Sequence, residues 1–147
     1  MTTRKTAVEY NLTAKFSDFE RVKICSSRDA ADYIRNFYQD DINIYESVFI
    51  LLLNRSNQTV GYAKISQGGI SGTVVDIRII LKYAIESLSS GVIMAHNHPS
   101  GQLKASPQDM QITKKLREAL QWMDISLHDS IILTSDSYYS MADEGII

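Results

Sequence analysis

Apolar positions recur along this chain with two periods, and the switches between them mark its elements. After a mixed, polar start, Ala30, Tyr33, Ile34, Phe37 and Tyr38 fall at i, i+3, i+4, i+7 and i+8. That is one face of a helix; Ser27 can cap it and Asp40-Asp41 can end it. Residues 45–54 are rich in Val, Phe, Ile and Leu, too short for a helix so bounded, and predict a buried strand. Arg55 to Gln58 supplies a turn, and Thr59 to Gln67 alternates as a hairpin partner closed by Gly68-Gly69. A second helical stripe follows in Ile77, Ile80, Leu81, Ala84, Ile85 and Leu88, with Asp76 as its cap and Ser89-Ser90-Gly91 as its stop.

Val92 to Ala95 predicts a short apolar strand that delivers the chain into His96. Ser106, Pro107 and Asp109 form a strong helix start: a capping serine, proline at the first helical position and an acid at the third. That helix should run to about Trp122, with Met110, Leu116 and Leu120 turned inward, before a last core strand over 125–134, a turn at Ser135 to Ser137 and a short tail. Strands alternating with helices predict one α/β domain, a sheet covered by helices. The expected division is an N-terminal arm, residues 1–25, and a domain, residues 26–147.

Composition narrows the function classes. The 147 residues are 44% hydrophobic and 22% charged, with 15 Lys+Arg against 17 Asp+Glu and a net charge of −2. No positive footprint for nucleic acid stands out. Cys25 is the only cysteine, which rules out an internal disulfide and a thiolate cluster; it reads as a small core residue. The start lacks the apolar core of a signal peptide, and the longest apolar run, Val48 to Leu53, is far too short to span a bilayer. A cytoplasmic protein without membrane contact is the expectation.

The chemistry concentrates after the third strand. On extended backbone, residues i and i+2 project to one side, so His96 and His98 present two imidazoles to one point. Pro99 biases His98 toward the extended geometry this requires. Asp109, in the first helical turn, can swing its carboxylate back to the strand end. Two imidazoles and a carboxylate suit Zn²⁺, one per chain, with water as the fourth ligand and its pKa lowered to about 7. A general base is then needed, and Glu46 is the candidate: it shares a strand face with Val48, Ile50 and Leu52, and a carboxylate at the edge of an apolar surface suits proton shuttling. Ser106 could cap the helix or donate to a developing oxyanion. Other polar residues read more simply: His128 at the start of a strand, Arg78 and Asp76 as a local pair, and the eight tyrosines as core and surface filler.

His96-x-His98, seven residues, Ser106, two residues and Asp109, with Glu46 upstream, resembles the JAMM signature of the JAB/MPN metalloprotease superfamily at every required position. The form His96-Asn97-His98-Pro99-Ser100-Gly101, preceded by Val92 to Ala95, is similar to the RadC family within it. Gly72-Thr73-Val74-Val75 and the C-terminal Tyr138-Tyr139-Ser140 and Glu144-Gly145 resemble it too. The resemblance covers roughly residues 26–147. It implies a three-layer αβα sandwich with a mixed sheet, as in cytidine deaminases. It implies zinc held by His96, His98, Asp109 and water, Glu46 as the base, and Ser106 steadying the tetrahedral intermediate. It also implies a metallopeptidase or isopeptidase acting on a peptide or protein. A DNA-repair role or nuclease activity is the alternative carried by the RadC label, and a non-catalytic interaction module is a third. Two departures stand out: Ala105 where relatives place proline, and Ser130 where they commonly have histidine after Asp129. The oligomeric state stays open, although an exposed edge strand could pair two copies.

Overall fold

A computed structural model describes residues 5–68 and 74–147. Gly69, Gly72 and Thr73, part of the glycine turn and of the RadC-like flank, lie outside the described residues, as do residues 1–4. The order is α1 (Ser27–Arg35), β1 (Ser47–Leu53), β2 (Thr59–Gln67), α2 (Ile77–Glu86), β3 (Gly91–Asn97), α3 (Pro107–Trp122), β4 (Ser126–Leu133) and β5 (Tyr138–Ser140).

The strands form one mixed sheet in the order β2-β1-β3-β4-β5. β1 pairs antiparallel with both β2 and β3, β3 runs parallel to β4, and β5 returns antiparallel. The parallel pair needs a crossover, and α3 supplies it. β1 and β3 are buried at every position, so alternation along them serves two cores rather than a core and solvent. Phe49, Leu51, Leu53, Ile93 and Ala95 meet Ala30, Ala31 and Ile34 of α1. Val48, Ile50, Leu52, Val92 and Met94 meet Ile80 and Ala84 of α2 and Leu116 and Leu120 of α3. The result is an α/β domain with three layers, one helix on one face and two on the other. Among the described residues no helix is long and apolar enough to cross a membrane.

Several boundaries differ from expectation. The first helix is capped by Ser26, whose side chain accepts from Asp29 N, and not by Ser27. It ends at Arg35, well before Asp40-Asp41; Phe37 and Tyr38 are buried from the following turn. The α2 stripe also overruns its helix. Ser87 is the C-cap and Leu88 has φ 54°, so Leu88 is 88% exposed, and Ile85 is exposed as well. Met110 points outward, and Cys25 is exposed rather than in the core, because it precedes the cap of α1. The tail beyond Ser137 forms β5, a strand too short to announce itself by pattern. Asp76 and Arg78 pair at 3.0 Å while Asp76 caps α2, and His128 lies on β4, at the end of the sheet away from His96.

Candidate metal centre

The site assembles where β3 ends, β1 begins and α3 begins. His96 is the penultimate residue of β3, opposite Val48 on β1 and Ile132 on β4. The extended path continues one step past the strand, because His98 N donates to Leu133 O at 2.9 Å. His96 and His98 therefore project to the same side, with their Nε2 atoms 3.1 Å apart. The chain then turns: Gly101 N donates to His98 O, and Gly101 has φ 85°, a conformation that favours glycine. This turn brings Gln102 O within 2.7 Å of His98 Nδ1. In the neutral ring Nδ1 thus carries the hydrogen and Nε2 keeps its lone pair for the site.

Asp109 arrives by capping. Ser106 Oγ accepts from Asp109 N at 3.0 Å and Asp109 Oδ2 accepts from Ser106 N at 2.9 Å, a reciprocal box with Pro107 in the first turn. That box fixes the carboxylate rotamer, and its oxygens then face the imidazoles, Oδ1 at 3.3 Å from His96 Nε2 and Oδ2 at 3.5 Å from His98 Nε2. Capping and side-chain convergence are one geometry here. Burial works to raise the Asp109 pKa, but the contacts with His96 and His98 and the Ser106 amide overcome it and hold the carboxyl far below the usual range. The same carboxylate raises the pKa of His98 against the effect of burial.

Glu46 precedes β1 and is half-buried. Val48 opposes His96, so two residues further along the antiparallel register Glu46 lies opposite His98. A carboxylate oxygen of Glu46 and one ring nitrogen from each histidine lie within 4.8 Å of one another. Glu46 thus lies close enough to both imidazoles to share a metal ion with them or to reach a molecule held there. All five residues singled out from the sequence, Glu46, His96, His98, Ser106 and Asp109, line one cavity of about 620 Å³. Its wall includes Val48, Val75, Met94 and Ile112, while Gln108, Gln111 and Lys115 present one polar stripe of α3 to it.

Sequence reasoning overlooked Asn97. The alternation that brings the two histidines together sends Asn97 to the opposite face, where it is fully buried. Its Oδ1 accepts from Ser47 N at 2.8 Å, and its Nδ2 donates to Ile42 O at 2.6 Å and Tyr45 O at 2.7 Å. Those bonds bracket Glu46. Tyr38 OH adds a bond to Ser47 O at 2.8 Å from the same side. The signal was available: a polar residue between two histidines on a strand must enter the apolar layer. The two departures from the family pattern sit behind the site. Ser130 accepts from Thr113 Oγ1 at 3.0 Å, tying α3 to β4, and Ala105 packs on Ile132 and Met141.

The donor set can be tested against zinc directly. Four tetrahedral ligands at 2.0–2.1 Å from the ion lie about 3.3 Å from one another. The observed separations of 3.1, 3.3 and 3.5 Å bracket that value, so His96, His98 and Asp109 fit the ion.

Comparison with known proteins places the chain in a family. Residues 24–146 match the family model of the RadC-like JAB domain. A UPF0758 protein of Flavobacterium johnsoniae is 42% identical over 124 residues, covering 84% of this chain and 53% of the relative. One from Porphyromonas gingivalis is 40% identical over 103 residues, 69% of this chain and 45% of that protein. A third, from Neisseria meningitidis, is 34% identical over 128 residues, 87% and 56%. The chain thus spans about half the length of these relatives. On the strength of the matched domain and these identities, the chain belongs to the RadC-like JAB domain family.

Proposed function

We propose that this chain is a zinc-dependent hydrolase of the metallopeptidase or isopeptidase type. The supporting observation is the triangle of donor atoms from His96, His98 and Asp109, at tetrahedral spacing and facing a cavity that also holds Glu46. When bound, zinc acts as a Lewis acid and makes hydroxide available from water near neutral pH. The protein's part is orientation and proton transfer. Glu46 accepts a proton from the attacking water and returns it to the leaving nitrogen, a role worth about 10²–10⁴-fold in rate. Ser106 Oγ already accepts from Asp109 N, so its own hydrogen is available to the oxyanion of the tetrahedral species. The apolar wall of Val48, Met94 and Ile112 lowers the local polarity on one side of the site, which strengthens these interactions.

The test combines metal content with an unbiased screen of peptide and isopeptide substrates. Wild type should carry about one zinc per chain. His98→Ala should lose it. Asp109→Asn, which keeps an oxygen for the cap, should bind zinc weakly while α3 remains intact. Glu46→Gln should keep the metal and lose hydrolysis. A wild-type chain that takes up no zinc, or undiminished hydrolysis by Glu46→Gln, overturns the reading.

A further inference from the structure

Among the described residues that line the cavity, Lys115 is the only lysine or arginine. Gln108, Gln111, Ile112 and Lys115 stand at i, i+3, i+4 and i+7, so they share one face of α3. The row starts beside Asp109 at the metal centre, and Lys115 is its far end. Helical side chains lean toward the N-terminus of their helix, so the Lys115 stem sets off in the direction of the donor triangle. Lys114, one position earlier, is exposed and does not line the cavity.

The Lys115 ammonium has no counter-charge within the chain. Every Asp and Glu lies among the described residues, because residues 1–4 and 69–73 contain none. None of them pairs with Lys115, whose side chain enters no ion pair or hydrogen bond among the described residues. The acids of this region are committed elsewhere. Asp109 and Glu46 gather at the imidazoles. Asp76 accepts from Nε and Nη2 of Arg78, at 3.1 and 3.0 Å. Arg78 is accordingly the main cause of the lowered Asp76 pKa, and Lys115 the least.

An ammonium on a flat surface is simply solvated. This one borders a concave wall with Val75, Met94 and Ile112, where the effective dielectric is lower and the field of a single charge is focused. Reach then fixes where on a substrate the matching anion must sit. Lys115 follows Asp109 by six residues, about 9 Å along the helix axis at roughly 1.5 Å per residue. An extended peptide covers that span in about two or three residues.

We infer that Lys115 binds a carboxylate of the substrate, about two or three residues from the scissile bond. The chain thereby selects peptides that carry an Asp or Glu side chain, or a free C-terminus, at that distance. The scissile bond rests on the hydrolase reading above; capture of the carboxylate does not.

Binding is tested on the full Glu46→Gln chain by calorimetric titration, so that turnover does not intervene. The probes are short acetylated alanine peptides. One set has an amidated C-terminus and a single Glu at each position in turn, with Gln and Lys counterparts; a further peptide is all alanine with a free C-terminal carboxylate. A carboxylate peptide should bind about 3- to 10-fold tighter than its neutral counterpart, an advantage that shrinks as salt rises. A side-chain source shows in the Glu set, a terminal source in the all-alanine peptide. Lys115→Met should abolish the advantage and Lys115→Glu should transfer it to the Lys peptides. Both variants should keep the circular dichroism spectrum and metal content, since Lys115 is exposed and outside the donor triangle. Cleavage of the same peptides by wild type should follow the same ranking, through KM. Equal binding of carboxylate and neutral peptides, binding of none, or an advantage that survives Lys115→Met overturns the inference. Lys115-dependent binding with no peptide cleaved upholds it and counts against the hydrolase reading; cleavage without any carboxylate preference does the reverse.

Discussion

Replacing Asn97 by alanine isolates what the hidden face of β3 contributes to the site. Three hydrogen bonds disappear together, to Ser47 N, Ile42 O and Tyr45 O. The Ser47 amide belongs to a buried residue, so leaving it unpartnered costs about 1–3 kcal/mol. Ile42 is half-buried and Tyr45 exposed, so their carbonyls can turn to water and each loss stays near 0.5–1.5 kcal/mol, roughly. The total is about 2–6 kcal/mol, which for a domain of this size lowers Tm by roughly 5–20 °C. Glu46 lies between two of the released anchors, and a drift of about 1 Å in a reacting group can cost on the order of 10²-fold in rate. Zinc uptake should persist, because Asn97 points away from the donor triangle. Thermal unfolding, metal content and hydrolysis below the lowered melting temperature separate these effects. Asn97→Asp is the sharper control: it keeps an oxygen for Ser47 N but sets a carboxylate oxygen against two carbonyls, and should be no more stable than the alanine variant. An Asn97→Ala chain within about 0.5 kcal/mol of wild type, the range of an inconsequential surface change, would refute the reasoning. Loss of zinc together with activity would refute the claim that Asn97 acts on Glu46 alone.

Other expectations follow from single contacts. Ser47 Oγ is buried with no hydrogen-bond partner among the described residues, so Ser47→Ala should be neutral or stabilising by up to about 1 kcal/mol in denaturant unfolding; a clear loss would mean the hydroxyl has a partner. Tyr38→Phe removes the bond to Ser47 O and should cost about 1–3 kcal/mol, with measurable coupling to Asn97→Ala in a double-mutant cycle. At Gly91 a Cβ would overlap the outer edge of the His128 ring, but His128 is exposed and can rotate away, so Gly91→Ala should change stability by less than about 1 kcal/mol; a larger loss that His128→Ala recovers would mean the ring is held in place. Burial raises the Asp129 pKa despite bonds from Ser140 Oγ, Ala142 N and Ser130 N. A raised carboxylate pKa means the folded state binds the proton more tightly, so this group's cost at neutral pH is relieved as pH falls through its folded pKa toward about 3.9. Tm measured across that window should therefore shift in favour of wild type relative to Asp129→Asn as pH drops; a constant difference would contradict it.

How much of this was legible depended on whether the signal was local. β2 could be read to the residue because it alternates, and Asp76 and Ser106 because caps are written beside the helices they start. β1 and β3 are apolar on both faces, so length rather than period identified them. That His96, His98, Ser106 and Asp109 line one cavity could be read locally, from extended spacing and a capping box, whereas Glu46 was singled out from its strand face and the family resemblance. What failed was decided elsewhere in the molecule. Ser26 and Ser27 cap equally well on paper, and the first is chosen by its bond to Asp29 N. Leu88 continues a helical stripe in sequence, but the backbone has already turned left-handed there. β5 exists because β4 offers Ile131 to Leu133 as partners, a fact that three residues cannot encode. Asn97 was obscured by its neighbours, whose chemistry drew the reading to one face of a strand that has two.

Every element of the centre enters from the same end of the sheet: β3 leaves there, β1 and α3 begin there. The connections at the far end, where α3 passes Met123 and Asp124 into β4, are exposed, and Asp124 has φ 57°. A peptide inserted between Met123 and Asp124 would therefore leave the mouth of the cavity unobstructed. That polarity makes the far end the natural anchor for immobilising the protein on a solid support or tethering it to a chosen target.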